Sequence, residues 1–177
     1  ILHEKNEMQP GSWIALTNPT ASEIMDIADT YQIDPEHIKA PLDEEERSRI
    51  EVEEDYTLIL VDIPSIEERS GKDWFVTIPM GIITTNEVLI TVCLEETPVL
   101  TSFMDGRVRD FHTFMKTRFI LQILYKNATQ FLQYLRIIDK KSEVIERKLH
   151  QSQKNEELIE LLELEKSLVY FTTSLRS

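Results

Sequence analysis

Basic charge, glycine and cysteine are all scarce in this chain of 177 residues. Nineteen Lys and Arg stand against 32 Asp and Glu, for a formal net charge of -13. Nucleic-acid binders gather Lys and Arg on one face to meet phosphates, so this balance argues against a nucleic-acid partner. It suits solubility, basic proteins or divalent cations. A lone cysteine, Cys93, lies inside an apolar run and implies a reduced compartment, with neither a disulfide framework nor a cysteine metal cluster. Only four glycines are present, none of them in a phosphate-cradling loop, and Gly11-Ser12 is not a nucleophile elbow. His3, His37, His112 and His150 are scattered, without the His-x-x-x-His spacing that reads as zinc. His37, beside a helix start, is expected to be a satisfied surface or interface side chain. Carboxylate pairs can be named anywhere in so acidic a chain and carry no weight. No enzyme is expected. No stretch approaches the roughly 18 uncharged apolar residues of a membrane helix, and no signal peptide is expected.

What the chain does have is a long amphipathic run. Leu121, Leu124, Ala128, Phe131, Leu135, Ile138, Ser142, Ile145 and Leu149 recur at alternating steps of three and four, predicting one helix from Asp110 to Leu149 with a single buried seam. At 1.5 Å per residue that helix is about 60 Å long, more than a domain of this size needs for its own core. After a polar stretch, Leu161, Leu164, Leu168, Phe171 and Leu175 repeat the spacing, so a second helix starts near Glu156. The short join favours an antiparallel hairpin, with one nearly continuous helix as the alternative. No stop signal follows the second helix and no initiator Met precedes Ile1, so the chain is expected to be a piece of a longer polypeptide.

Upstream the patterns are those of an α/β unit. Trp13 to Leu16 reads as a strand; Thr20 and Glu23 form a capping box for a helix burying Ile24, Ile27, Ala28 and Tyr31. Asp34-Pro35 opens a short helix and Pro41 closes it. From Asp43 to Asp55 run eight carboxylates, expected to be a solvated acidic face. Strands are expected at Ile50 to Glu54, with Ile50 and Val52 inward, and at Tyr56 to Ile63, Trp74 to Ile83 and Val88 to Leu94. Glu67 to Asp73 reads as the first connection, turning at Gly71, and Thr84 to Glu87 as a tight hairpin. Pro79 predicts a bulge or an edge position. Thr97-Pro98 opens a helix through Met104. The expected fold is α/β, a mixed and largely antiparallel sheet covered by helices, with residues 10–106 as the sheet domain and 107–177 as a long helical hairpin leading to a stalk.

These residues carry a resemblance. Ile38-x-x-Pro41-Leu42-Asp43, then Arg47-x-Arg49-Ile50-Glu51 and Glu54-x-Tyr56-x-x-x-Leu60, resemble the amino-terminal cytoplasmic domain of the CorA family of magnesium and cobalt transporters. Gly81-Ile82-Ile83-x-x-Asn86-x-Val88-Leu89-Ile90-Thr91-Val92 is similar to that family's hairpin, and the two long helices fit its post-sheet helices. The resemblance implies a homopentamer whose cytoplasmic domains sense a divalent ion, Mg2+ with Co2+ as a second candidate, and gate a pore. It implies a full-length protein in the cell membrane, anchored by carboxy-terminal transmembrane helices beyond Ser177, where the family's Gly-Met-Asn triad is also expected. It further implies a weak regulatory ion held between a loop carboxylate and the neighbouring subunit's stalk; the loop position falls on Glu67, with Glu68 beside it. The alternative is an oligomerising scaffold or regulatory domain without metal.

Overall fold

The computed structural model describes residues 10–69, 71–152 and 155–176. In chain order the elements are β1 (Trp13–Thr17), α1 (Ala21–Tyr31), α2 (Pro35–Lys39) running into a 3-10 turn (Ala40–Leu42), β2 (Arg49–Val52), β3 (Tyr56–Arg69), β4 (Lys72–Thr85), β5 (Leu89–Cys93), α3 (Pro98–Met104), α4 (Lys116–Ser152) and α5 (Asn155–Arg176). One sheet holds all five strands in the order β1-β5-β4-β3-β2. β1 lies parallel to β5 and every other pair is antiparallel, which makes the sheet mixed and largely antiparallel, as expected.

Local chemistry sets the element ends. Thr20 and Glu23 form the capping box of α1, Asp34 caps α2 with Pro35 in the first turn, and Thr97 caps α3 ahead of Pro98. Gly71 adopts φ +75° in the turn between β3 and β4, a conformation that costs a side-chain-bearing residue dearly. Pro79 lies just past the β4–β5 ladder, which begins at Met80↔Cys93, so β4 is locally an edge there. Its register with β3 runs unbroken through Asp62↔Pro79, without a bulge.

Helices cover the sheet. Ile24, Ile27, Ala28, Ile33 and Ile38 of the α1–α2 layer pack with Leu58, Leu60, Ile83, Ile90 and Val92. A second core joins Ile63, Ile78, Met80, Ile82, Leu89 and Cys93 to α3 and the start of α4 through Val99, Phe103, Phe119 and Ile123. Trp13, Phe103, Phe111 and Phe119 stack edge to face or tilted within it, and the Trp13 Nε1–H donates to Thr91 Oγ1 at 2.9 Å. A third core holds the helical hairpin: Phe75 of the β3–β4 ribbon with Phe131, Tyr134, Ile138 and Ile145 of α4 and Leu164 and Phe171 of α5. Phe131 meets Phe171, and both helices contribute to that core along their length, so α4 and α5 are antiparallel.

Three expectations need correction. First, α4 begins at Lys116 rather than near Asp110, and its first half buries Phe119, Ile123 and Asn127, leaving Leu121 62% exposed and Ala128 exposed. Steps of four residues advance about 40° each around a helix, so between Phe119 and Phe131 the buried face turns by about 120°. The helix leaves the sheet and meets α5, and a single seam cannot serve both surfaces. On α5, Ser167 is buried while Leu168 and Leu175 are exposed. Second, Ile50 and Val52 point outward, at 68% and 77% exposed. Arg49 and Glu51 instead share the register of Leu60 and Leu58, which face α1 and α2. Third, Glu67 and Glu68 belong to β3: the ladder continues through Glu67↔Trp74, Glu68↔Asp73 and Arg69↔Lys72, so the connection is far shorter than the polar stretch suggests.

Candidate functional site

Among the described residues, two places bring ionisable groups together from different elements of the fold. At the tip of the β3–β4 ribbon, Glu67 and Glu68 are successive residues of a strand and therefore project to opposite faces. They do not form one carboxylate pair. Arg69 Nε donates to Glu67 Oε2 at 2.7 Å, its Nη2 pairs with the same oxygen, and its guanidinium lies 4.6 Å above the Trp74 ring. Glu68 is exposed. On the neighbouring strand Asp73 pairs with Lys141 of α4 at 3.0 Å, and Lys72 approaches Glu160 of α5 at 3.9 Å, so the ribbon tip is tied electrostatically to both long helices.

The second place lies at the other end of β3, where α2, β2 and the β2–β3 turn converge. His37 Nε2 is 3.2 Å from Glu51 Oε2, and one ligand atom each from His37, Glu51 and Glu53 lie within 4.8 Å of one another. The imidazole Nδ1 lies 2.7 Å from the Tyr56 hydroxyl, which also accepts from the Asp34 N–H at 3.2 Å. Arg49 Nε pairs with the other oxygen of Glu51, and Nη1 of the same guanidinium pairs with Glu46. The Arg49 hydrogen bond holds the Glu51 carboxyl below the usual carboxylate range, and Glu51 in turn pushes the Arg49 guanidinium up. Burial raises the Tyr56 phenol, opposed by its bond from the Asp34 N–H.

His37 is thus satisfied, as its position beside a helix start predicted, yet it stands among carboxylates. The acidic run is mostly solvated: Asp43, Glu44, Glu45, Glu53, Glu54 and Asp55 are exposed, while Glu46 and Glu51 are half-buried on Arg49. The signal for this cluster in the sequence was the Glu51–Glu53 spacing, which puts both on one side of an extended segment. Their pairing with a helix 14 residues upstream of Glu51 is a tertiary fact. His112 approaches Phe114, and His3 lies outside the described residues.

Comparison with known proteins gives a consistent answer. A family model described as "CorA-like Mg2+ transporter protein" matches residues 9–177. The cobalt/magnesium transport protein CorA of Methanocaldococcus jannaschii is 26% identical over 172 residues, which cover 92% of this chain and 51% of that protein. The solved soluble domain of CorA from the same organism superposes with a TM-score of 0.80 at 26% identity, covering 92% of this chain and 65% of that one. The cytoplasmic domain of ZntB from Vibrio parahaemolyticus, at 11% identity and a TM-score of 0.68, shares the fold. The chain spans about half the length of the curated relative it matches. Among the described residues no helix is long and apolar enough to cross a membrane.

Proposed function

The chain belongs to the CorA-like Mg2+ transporter family, and from that premise we propose that it is the cytoplasmic sensing and gating part of a membrane transporter or channel for Mg2+, with Co2+ as a second cargo. The match over residues 9–177 carries this reading. On it, the membrane-spanning helices lie outside the described residues, and the full-length protein is a homopentamer in the cell membrane.

The geometry supports the reading in two ways. Leu121, Tyr125 and Leu132 on α4, and Leu158, Ile159, Leu162, Val169 and Tyr170 on α5, are exposed. A helical pair with that much apolar surface uncovered suits assembly with further copies. The ribbon tip, for its part, is held against both long helices by Asp73–Lys141 and Lys72–Glu160, so a charge change at the tip has a direct route to the stalk.

Glu67 and Glu68 are the residues we propose as one half of a regulatory site, completed by carboxylates of a neighbouring subunit's stalk. Because the two side chains leave opposite faces of β3, a single ion takes one of them, and Arg69 competes with the ion for Glu67. Carboxylates facing one another across an interface repel until a hard cation neutralises them; Mg2+ suits the task because it binds one or two carboxylates and keeps several waters. A weak site of this kind empties when the ion is scarce, which biases the assembly between two states. Limited proteolysis of the full-length protein over a Mg2+ series tests it. Protection that rises with Mg2+ in the wild type and weakens in Glu67→Ala, Glu68→Ala or the double variant is expected. Equal protection in all four proteins removes these residues from the sensor, and protection independent of Mg2+ favours a metal-free scaffold.

A further inference from the structure

We propose that His37, Glu51 and Glu53 form a binding site for a divalent transition cation of the Zn2+ or Co2+ class, anchored on His37 Nε2. The site is separate from Glu67 and Glu68, which stand at the opposite end of β3, and it does not depend on their role.

Spacing is the first argument. Zinc-type ligands sit about 2.0 to 2.2 Å from the metal, so neighbouring ligand atoms on one ion lie about 3 Å apart. His37 Nε2 and Glu51 Oε2, at 3.2 Å, already have the separation of adjacent ligands. The third ligand atom, on Glu53, lies within 4.8 Å of both, and Glu53 is an exposed side chain that closes the gap by rotating. Glu53 is exposed, so water reaches the cluster and can complete the coordination.

The second argument is the support behind the imidazole. Histidines that bind metals have the far ring nitrogen held by a hydrogen-bond partner. Here that partner is the Tyr56 hydroxyl, 2.7 Å from Nδ1. A hydroxyl has two acceptor positions, so it can take both the Asp34 N–H and the Nδ1–H, and in that tautomer Nε2 presents a lone pair. In the other tautomer Nε2–H donates to Glu51 across the same 3.2 Å, so a cation held by both atoms would select the tautomer with Nδ1–H on Tyr56.

Charge and donor type complete the case. Arg49 occupies one oxygen of Glu51 and leaves the other toward His37, while Glu53 has no ion-pair partner among the described residues. One imidazole with carboxylate oxygens is a donor set that borderline cations such as Zn2+ and Co2+ prefer; Mg2+ prefers oxygen alone and gives up its waters reluctantly.

Two-bond proton–nitrogen NMR spectra of the imidazoles in the 177-residue chain, titrated with ZnCl2 and separately with MgCl2, test the proposal. The His37 Nε2 resonance should shift into the metal-bound range with Zn2+ at a concentration about tenfold or more below any effect of Mg2+, while Nδ1 stays protonated. Tyr56→Phe should weaken Zn2+ binding about tenfold by freeing the ring, His37→Gln should abolish this site, and Glu53→Gln, at an exposed position, should weaken it without disturbing the fold. Unchanged His37 signals at saturating Zn2+, equal shifts at His3, His112 and His150, or unchanged affinity in Glu53→Gln would each overturn it, whatever the outcome for Glu67 and Glu68.

Discussion

Pro41 crowds the place where a Cβ on Gly81 would have to go: an ideal Cβ there comes well inside van der Waals contact with Pro41 Cγ. Gly81 occupies the middle of β4, registered with Leu60 on one side and Val92 on the other, so the strand has little freedom to retreat. The glycine is there to let the 3-10 turn lie flat on the sheet. Gly81→Ala should therefore destabilise the chain by about 1 to 3 kcal/mol through overpacking, read as a lower urea midpoint at unchanged slope; an unaltered midpoint would mean that the turn yields freely. At this same scale the site residues were hardest to read. By resemblance Glu67 and Glu68 fall on a loop; in the structure they continue β3, pairing with Trp74 and Asp73 of β4 and facing apart. His37 gave no metal spacing in the sequence because its neighbours arrive from β2 and the following turn.

Helix α4 shows what periodicity can and cannot tell. Its apolar three-four pattern identified the helix and, from Phe131 onward, the buried face: Phe131, Ile138 and Ile145 are buried as expected. The N-terminal half misled because two apolar faces coexist there, one carrying Phe119 and Ile123 against the sheet, the other carrying Leu121 and Tyr125 outward. A pattern match has no means of ranking two apolar faces; only the surface each one meets decides. Strands β1 and β5, the α1 capping box and the α2 and α3 starts were legible because local chemistry dictates them. The inward side of β2 was not, since its alternation is reversed: the polar Arg49 and Glu51 face the α1–α2 layer and the apolar pair faces out. The account of α4 predicts a contrast within one helix. Phe131→Ala, which empties a position packed 5.1 Å from the Phe171 ring, should cost about 3 to 5 kcal/mol. Leu121→Ala should stay within about 0.5 kcal/mol. Equal costs in denaturant titrations would contradict the rotated seam.

Across the whole molecule the three cores are joined in series, from the α1–α2 layer through the sheet to α3 and α4 and then along the helical hairpin. The sheet is buried from both sides at its centre, while from Phe131 onward the hairpin rests on the third core alone and leaves much of its apolar surface outward. Hydrogen exchange should accordingly be slowest in β3, β4 and β5, with the far part of the hairpin opening first; slowest exchange confined to α4 and α5 would invert that order. In the proposed full-length assembly the same uncovered surface is where subunits meet, and the ribbon tip touching both helices is where ion occupancy reaches the stalk. Cation flux through vesicles containing the full-length protein, with free Mg2+ varied only on the side that bears this domain, tests that claim most directly. The account predicts that flux falls as Mg2+ on that side rises and that the Glu67→Ala/Glu68→Ala double variant stays open at concentrations that close the wild type; flux indifferent to Mg2+ on that side would contradict it.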